Sequence, residues 1–390
     1  MIDFIFNNPT KVYFGENAAE KHLKNALSTY GKRILMCYGG GSIKRCGIYD
    51  DIMTILKSAG CSITEFSGIM ANPTYRKVTE GAALAKSKNI DLILAVGGGS
   101  VMDCAKAISI AAVYNGDWWQ DYFINAGKIN FTPIPVGAVV TVTGTGSELN
   151  GDSIITNEES RIKTGHNYIE CNPAFAIIDP CYTYSVPPYQ TASGGFDILS
   201  HIMEIYFSED DNDNISDDIS EALMRSVIKN LPIVIKDPHN YTARSNLSWA
   251  SSLALSGLLR LGKKCDFEVH QVEHQLAAYT DCVHGAGLAV IHPVYYRHIY
   301  KSAVKRFVRF ARNVWGIDHN GLTDEAVALA GIDALEDFIR KIGLPLTISE
   351  LIGEKAVDLK KVAESCNISS GSYKRMTADE IYDILMQCNG

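Results

Sequence analysis

The sequence predicts two domains of different class, an α/β domain with a parallel sheet over residues 1–183 and an all-helical domain over residues 184–390. Short apolar runs alternate with helical segments in the first part, and strand-like runs disappear after Asp179-Pro180. Pro180, Pro187 and Pro188 mark the point of change. The 390 residues also exceed the length of about 250–300 at which a single core stops growing, so two domains are the default expectation.

The first part begins with residues 2–14, where apolar and polar residues alternate around Asn7-Asn8-Pro9, a pattern that predicts a strand, a turn and a strand. A helical segment is predicted over 17–30. Further strands are predicted over 32–38, 61–66, 91–96, 132–140, 153–156 and 175–178, and further helices over 48–58, 75–88 and 101–114. Such alternation is typical of a parallel sheet covered by helices on both faces.

The second part has helical periodicity throughout. Helices are predicted over 192–207, 219–229, 243–261, 269–279, 304–315 and 324–342, with a last helix that starts at the capping-box pair Thr377 and Glu380. The acidic run at 209–213 lacks the glycine and the final glutamate of a calcium loop, so a solvated connection between helices is expected there.

Composition excludes several classes of protein. A net charge of -8 gives no electrostatic footprint for nucleic acid or anionic lipid. No apolar run approaches the roughly 18 residues that a membrane-spanning helix needs, and the first residues lack the pattern of a signal peptide. The ten cysteines include no CxxC pair, which is typical of reduced thiols. We therefore expect a cytoplasmic protein that binds neither nucleic acid nor membrane.

Two Gly-Gly-Gly-Ser turns each follow a predicted strand, at residues 39–42 and 97–100. Glycines allow the backbone to approach a phosphate, and the free amides at a helix N-terminus attract its charge. Neither turn is a GxGxxG fingerprint or a P-loop, and Ser100 with Asp103 also resembles an ordinary helix cap. Two such turns at the carboxyl edge of one sheet predict a nucleotide site. A third segment, TVTGTGSE at 141–148, suits contacts to phosphate or ribose, or is a plain turn.

Histidines cluster in the second part. Three of the ten histidines, His270, His274 and His284, lie within fifteen residues, and Asp197 and His201 form a further i, i+4 pair. Four-residue spacing places both members of a pair on one helix face. One aspartate with three or four histidines is the donor set of a divalent transition metal such as Fe²⁺ or Zn²⁺. The spacing alone does not decide which of the histidines are ligands.

Four segments together resemble a known family. They are GGGSVMDCAKAI from Gly97, TGTGSE from Thr143, the Asp197/His201 pair, and VHQVEHQLAAYTDCVHGAGLAV from Val269. This combination resembles the iron-containing (group III) alcohol dehydrogenases, and within them the NADP-dependent butanol dehydrogenase and aldehyde reductase branch. The resemblance runs from about Phe4 to the C-terminus. It implies a Rossmann-like dinucleotide-binding domain followed by an all-helical metal-binding domain, the fold shared with dehydroquinate synthase.

The resemblance also implies roles for individual residues. The metal ligands would be Asp197, His201, His270 and His284, and His274 would take a catalytic or positioning role near the nicotinamide. His292 departs from the family pattern and is expected to pack structurally. The cofactor-binding residues implied are Gly39, Gly40, Ser42, Lys44, Gly97, Gly98, Gly99, Ser100, Asp103, Thr141, Thr145, Ser147, Lys163 and Tyr182.

NADP is the cofactor that the first glycine turn favours, with NAD possible. Residues 39–42 contain no carboxylate to repel a 2′-phosphate, and Lys44 and Arg45 could supply positive charge. The expected reaction is reversible hydride transfer between a small primary alcohol and its aldehyde, as for butanol and butyraldehyde. A homodimer formed through residues 4–8 and 11–15 is expected. Glycerol dehydrogenase-like and dehydroquinate synthase-like enzymes, and a non-enzymatic sensor, are the alternatives. The absence of Lys and Arg from the segments around the candidate ligands favours an uncharged substrate.

Overall fold

A computed structural model of the chain describes residues 2–209, 214–368, 371 and 373–390. The described residues divide into two compact units, one formed by Asn7–Val186 and the other by Pro187–Gly390 together with residues 2–6. The first residues thus group with the helical unit, where the amide of Ile2 donates to the carbonyl of Gly262 at 3.3 Å. Most of the predicted acidic loop, residues 210–213, lies outside the described residues.

The unit Asn7–Val186 is built on a parallel sheet. Its strands are β1 (Lys11–Phe14), β2 (Arg33–Tyr38), β3 (Ser62–Phe66), β4 (Leu92–Gly97), β5 (Val136–Val140) and β8 (Phe175–Ile178). They lie in the order β1-β8-β5-β4-β2-β3, and every neighbouring pair is parallel. The three polar or glycine-rich segments identified in the sequence follow β2, β4 and β5, which are adjacent. The carboxyl ends of these three strands are neighbours at one edge of the sheet, so the three segments begin close together.

Helices cover both faces of this sheet. They are α1 (Lys24–Ala26), α2 (Ser42–Arg45), α3 (Ile48–Ser58), α4 (Tyr75–Ser87) and α5 (Gly99–Ala111), and π and 3₁₀ turns flank α1 at Ala19–Leu23 and Leu27–Thr29. In β4, Ile93 and Ala95 pack with α4 and α5, whereas Leu94 and Val96 pack with α3 on the opposite side. This alternation is what a strand buried on both faces produces, and it confirms the predicted fold class.

One predicted strand of this unit is absent, and another forms outside the parallel sheet. Residues 2–10 form no strand, so the expected first strand is absent and only Lys11–Phe14 joins the sheet. The predicted strand at 153–156 lies in β6 (Asp152–Asn157), which pairs antiparallel with β7 (Ile162–Asn167) in a separate hairpin. Sequence patterning missed β7 because its central residues, KTGH, are polar and lack an apolar alternation.

The unit Pro187–Gly390 is helical. Its helices are α6 (Pro188–Tyr206), α7 (Ile215–Lys236), α8 (Tyr241–Leu255), α9 (Glu268–Thr280), α10 (His284–Ile299), α11 (Val304–Asn313), α12 (Asp324–Lys341), α13 (Ile348–Ile352), α14 (Leu359–Glu364) and α15 (Ala378–Cys388). One continuous apolar core joins them, and α6 and α10 are buried along most of their length. The capping box predicted at Thr377 and Glu380 is present at the start of α15. No helix among the described residues is long and apolar enough to cross a bilayer.

Candidate functional site

Three helices of the second unit bring the predicted donors together. Asp197 and His201 lie one turn apart on α6, His270 lies near the start of α9, and His284 is the first residue of α10. A glycine makes this approach possible, because a Cβ at Gly285 would lie 2.0 Å from the carbonyl oxygen of Ser193 on α6. The start of α10 can therefore lie directly against α6, which places His284 beside Asp197.

The Oδ1 atom of Asp197 is the centre of this donor cluster. It lies 3.5 Å from Nε2 of His201, 3.6 Å from Nε2 of His270 and 3.6 Å from Nε2 of His284. Donor atoms about 2.1 Å from a tetrahedral ion stand about 3.4 Å from one another, so these separations match the edges of a tetrahedral site. Asp197, His201 and His270 each lie at 5% relative exposure or less, while the His284 side chain retains 26%.

Two of these donor atoms are buried without hydrogen-bond partners among the described residues, Oδ1 of Asp197 and Nε2 of His270. Leaving such atoms unsatisfied costs free energy, and a bound cation would satisfy both. Three imidazoles and one carboxylate also suit Fe²⁺ or Zn²⁺ chemically. The residues present thus fit a divalent metal ion.

Two glutamates that the sequence analysis missed orient the histidines. The Glu204 carboxylate accepts from Nδ1 of His270, and the Glu273 carboxylate accepts from Nδ1 of His284. Glu204 Oε1 also accepts from the amide of Val269 at 2.7 Å, which ties α6 to the start of α9. Because a carboxylate accepts the Nδ1 proton, each imidazole presents Nε2 to the cluster, an arrangement common behind metal-binding histidines.

Burial and charge set the protonation of the cluster. Burial lowers the pKa of His201 to about 3, which leaves its imidazole neutral and able to bind a metal. Burial alone would raise the pKa of Asp197, but the imidazoles of His201, His284 and His270 hold it well below its usual range. Burial opposes protonation of His270 too, yet the Glu204 and Asp197 carboxylates outweigh it and raise this pKa to about 10.

The two remaining histidines of the region differ in their surroundings. The His274 ring lies 5.6 Å from the His284 ring and 6.1 Å from the His270 ring, so it borders the cluster. A ligand atom of each of Glu273, His274 and His284 lies within 4.8 Å of the others. His292 is fully buried, hydrogen-bonds through Nε2 to the Ser200 hydroxyl at 2.7 Å, and contacts the Phe196 and Tyr296 rings. That environment agrees with the packing role expected for His292.

In the first unit, the structure brings the second glycine turn and the segment 141–147 into contact. A Cβ at Gly99 would lie 2.4 Å from the Thr145 side chain, and one at Gly98 would lie 3.0 Å from Val142. The amide of Thr141 donates to the carbonyl of Gly97 at 3.0 Å. The glycines are thus required for the protein's own packing as well as for any phosphate. The Ser100 hydroxyl donates to the carbonyl of Ala71.

A buried lysine that the sequence analysis did not single out holds this segment in place. Nζ of Lys106 donates to the carbonyl and hydroxyl oxygens of Ser147, both at 2.7 Å, and to the carbonyl of Asp152 at 2.8 Å. The Ser147 hydroxyl donates in turn to the Asp103 carboxylate at 2.9 Å. Burial raises the pKa of Asp103 to about 6 and lowers that of Lys106. The hydrogen bond between Asp103 and Ser147 therefore joins α5 to the segment 141–147.

A carboxylate from another part of the sequence lies beside the first glycine turn. Oε2 of Glu65, at the end of β3, lies 3.8 Å from Nζ of Lys44 and accepts from the Tyr38 hydroxyl at 2.6 Å. The Lys44 ammonium also lies 4.4 Å from the centre of the Tyr49 ring. A Cβ at Gly40 would meet no atom within 4 Å, and Ser42 is the first residue of α2.

The last two predicted cofactor residues lie elsewhere in the same unit. Lys163 is buried in β7 opposite Thr156. Tyr182 lies in the 3₁₀ turn Pro180–Thr183 and packs against the core on the α3 side of the sheet, and burial raises its pKa.

Comparisons with known proteins agree with this architecture. The family model of iron-containing alcohol dehydrogenases matches residues 9–180, and the model of the C-terminal part of that family matches residues 191–388. The chain is 38% identical over 388 residues to NADH-dependent butanol dehydrogenase A of Clostridium acetobutylicum, which covers 98% of this chain and 99% of that protein. It is 34% identical over 352 residues to the NADPH-dependent aldehyde reductase YqhD of Escherichia coli, which covers 90% of this chain and 89% of that protein.

The fold also matches that of a solved structure over the whole chain. The crystal structure of an NADH-dependent butanol dehydrogenase A from Thermotoga maritima superposes with a TM-score of 0.94 at 33% identity, over 100% of this chain and 99% of that one. Both parts of the chain match models of one family, and the chain belongs to the iron-containing alcohol dehydrogenase family.

Proposed function

We propose that this chain is a metal-dependent, NADP(H)-linked alcohol dehydrogenase and aldehyde reductase that acts on small primary alcohols and their aldehydes. The observation that carries the proposal is the placement of Asp197 Oδ1 at 3.5–3.6 Å from three imidazole Nε2 atoms. Membership of the family makes the chain an oxidoreductase that interconverts alcohols and aldehydes. The named relatives are butanol dehydrogenases and aldehyde reductases, so they favour this reaction over the cyclase and glycerol dehydrogenase alternatives.

Asp197, His201, His270 and His284 would hold the metal, and Glu204 and Glu273 would orient two of the three histidines. When bound, a divalent cation such as Fe²⁺ or Zn²⁺ supplies Lewis acidity to the substrate oxygen, and the nicotinamide exchanges a hydride with the substrate carbon. The partial exposure of His284 leaves one side of the cluster reachable from solvent. His274, which borders the cluster, is proposed to position the substrate and to pass its proton towards solvent.

For the cofactor we propose the glycine turns at residues 39–42 and 97–100 and the segment 141–147, which follow the adjacent strands β2, β4 and β5. Lys163 and Tyr182 are proposed to complete the cofactor site. Lys44 and Arg45 support a preference for NADP(H), because each can supply positive charge to a 2′-phosphate. Glu65 works against that preference, since its carboxylate lies beside Lys44. Relatives named for NADH and for NADPH both occur at 34–38% identity.

Two further proposals concern the protein's state in the cell. We propose a homodimer, because apolar side chains near the N-terminus are exposed and β1 is an end strand of its sheet. We also propose that the enzyme acts in the cytoplasm, where its ten free cysteines would remain reduced. Cell fractionation would test the location.

The function is tested by following oxidation of NADPH with butyraldehyde on the chelated protein, before and after Fe²⁺ or Zn²⁺ is restored, with NADH in parallel. We expect turnover only with metal, faster with NADPH than with NADH. Chelation should leave cofactor binding intact, because the proposed metal ligands and the glycine turns belong to different units.

Asp197→Asn should lower turnover by at least about 1,000-fold through loss of the metal. His274→Ala should also lower turnover, and it should change the pH profile of the reaction.

His319→Ala is the control, because His319 is an exposed surface histidine paired with Asp324. Faster turnover with NADH would retain the enzyme class and reject the NADP(H) preference. Full activity of Asp197→Asn would reject the metal site, and no turnover of any small aldehyde would reject the proposed function. An unchanged pH profile for His274→Ala would reject its role in proton transfer.

A further inference from the structure

Arg260 lies close to the proposed metal ligands, in the connection between α8 and α9. Its guanidinium carbon stands 4.6 Å from the centre of the Phe267 ring. The Phe267 ring stands in turn 5.5 Å from the His270 ring and 6.4 Å from the His201 ring. The Phe267 ring therefore lies beside this guanidinium and beside two of the proposed ligands.

The backbone holds Phe267 in a conformation that side chains rarely adopt. Its φ of 85° lies in the left-handed region, which crowds any residue with a Cβ and is unusual for an aromatic residue. Phe267 is the residue immediately before α9, and in this conformation its ring lies near both Arg260 and His270. Non-glycine residues held in such conformations are concentrated at functional sites.

The charge of Arg260 has no counter-charge in the part of the chain that the structure describes. By contrast, Arg306 pairs with Asp217 and Arg309 pairs with Glu221 in the same unit. No described carboxylate lies within ion-pair distance of Arg260, and its buried Nε has no hydrogen-bond partner.

A guanidinium that is partly exposed and lacks a carboxylate is suited to a carboxylate ligand, which it binds through two parallel hydrogen bonds. We propose that Arg260 binds a carboxylate at the far end of the substrate, so that the preferred substrates are short aldehydes with a terminal carboxylate. This inference rests on the proposed function, and it replaces the uncharged substrate expected from the segments that flank the ligands.

The test compares two aldehydes that differ only at the end distant from the reacting carbon, 4-oxobutanoate and butyraldehyde, with 6-oxohexanoate and hexanal as a longer pair. Arg260→Gln in the full-length, metal-loaded enzyme should lower kcat/KM for the carboxylated aldehydes by about 10- to 100-fold, mainly through KM. Turnover of butyraldehyde and hexanal should change by less than about twofold, because they make no charged contact.

Binding provides a readout independent of turnover. Calorimetry should detect succinate binding to the wild-type enzyme and lose it in Arg260→Gln, with partial recovery in Arg260→Lys. Lys264→Gln is the matched control, since Lys264 lies on the same connection but is exposed and paired with Glu209. It should leave both measurements unchanged.

Three outcomes would overturn the inference. The first is an equal loss with both kinds of aldehyde in Arg260→Gln, which would mean that Arg260 supports Phe267 and the ligands only. The second is an unchanged kcat/KM for the carboxylated aldehydes in Arg260→Gln, and the third is no succinate binding by the wild-type enzyme. Failure of the proposed function is distinguishable, because the wild-type enzyme would then show no metal-dependent turnover of butyraldehyde either.

Discussion

A single carboxylate lies behind each of two proposed metal ligands, His270 and His284. Glu204 and Glu273 are almost completely buried, and each accepts the Nδ1 proton of a proposed ligand. An isolated buried carboxylate would be costly, so its pairing with an imidazole stabilises both groups. Their spacing was visible in the sequence, because Glu204 follows His201 by three residues and Glu273 follows His270 by three. The spacing alone does not reveal their role, because each glutamate contacts a histidine that lies on a different helix in the folded chain.

Replacement of Glu204 by Gln should weaken metal binding by about 10- to 100-fold. Glutamine keeps an oxygen that can accept from the Val269 amide but loses the negative charge that makes His270 a better donor. Competition against a chelator of known affinity measures the change, with circular dichroism to confirm the fold. Glu325→Gln, an exposed position on α12, is the control and should bind metal as the wild type does. Unchanged affinity in Glu204→Gln would show that Glu204 does not tune the site.

Among the secondary-structure elements, α5 carries a buried lysine, Lys106, that binds the segment 147–152. Lys106 replaces missing backbone partners for the segment 147–152, which contains no regular strand until β6 begins at Asp152. The same helix starts at the second glycine turn, so this lysine stabilises one wall of the proposed cofactor site. An apolar side chain of similar length would fill the space but leave several acceptors unsatisfied.

Lys106→Met should therefore lower the free energy of unfolding by about 3 kcal/mol, because buried acceptors lose their donor and Asp103 loses a nearby positive charge. Urea denaturation of the two proteins measures the difference. Lys57→Met provides the comparison, since Lys57 is exposed on α3 and its loss should change stability by no more than about 0.5 kcal/mol. Equal stability of Lys106→Met and the wild type would contradict the proposed role of this network.

At the scale of the whole molecule, the proposed homodimer accounts for the exposed apolar side chains near the N-terminus. Ile5 is 96% exposed, and Phe4 and Phe6 are each 50% exposed. Light scattering at micromolar concentration should give the mass of two chains, and Ile5→Asp should shift the population towards one chain. Ile215→Asp, at a position 66% exposed on α7, should leave the mass unchanged. A wild-type protein that scatters as one chain would exclude the dimer.

The amino-acid sequence by itself determined features that depend on near neighbours. Helical periodicity placed Asp197 with His201 and His270 with His274, and the alternation of buried strands and helices gave the fold class. The glycine turns were visible because strand, glycines and helix follow one another along the chain. These features are local, since a helix turn or a strand-to-helix turn spans only a few residues.

Only the tertiary structure decided which distant side chains meet. Glu204 reaches His270, Glu65 at the end of β3 reaches Lys44, and Arg260 and His201 both lie near the Phe267 ring. The spacing of these residues along the sequence does not predict these pairs, because they depend on strand order and helix packing. The orienting carboxylates, the charge beside the first glycine turn and the arginine beside the ligands thus emerged from folding, whereas the donor residues themselves could be predicted.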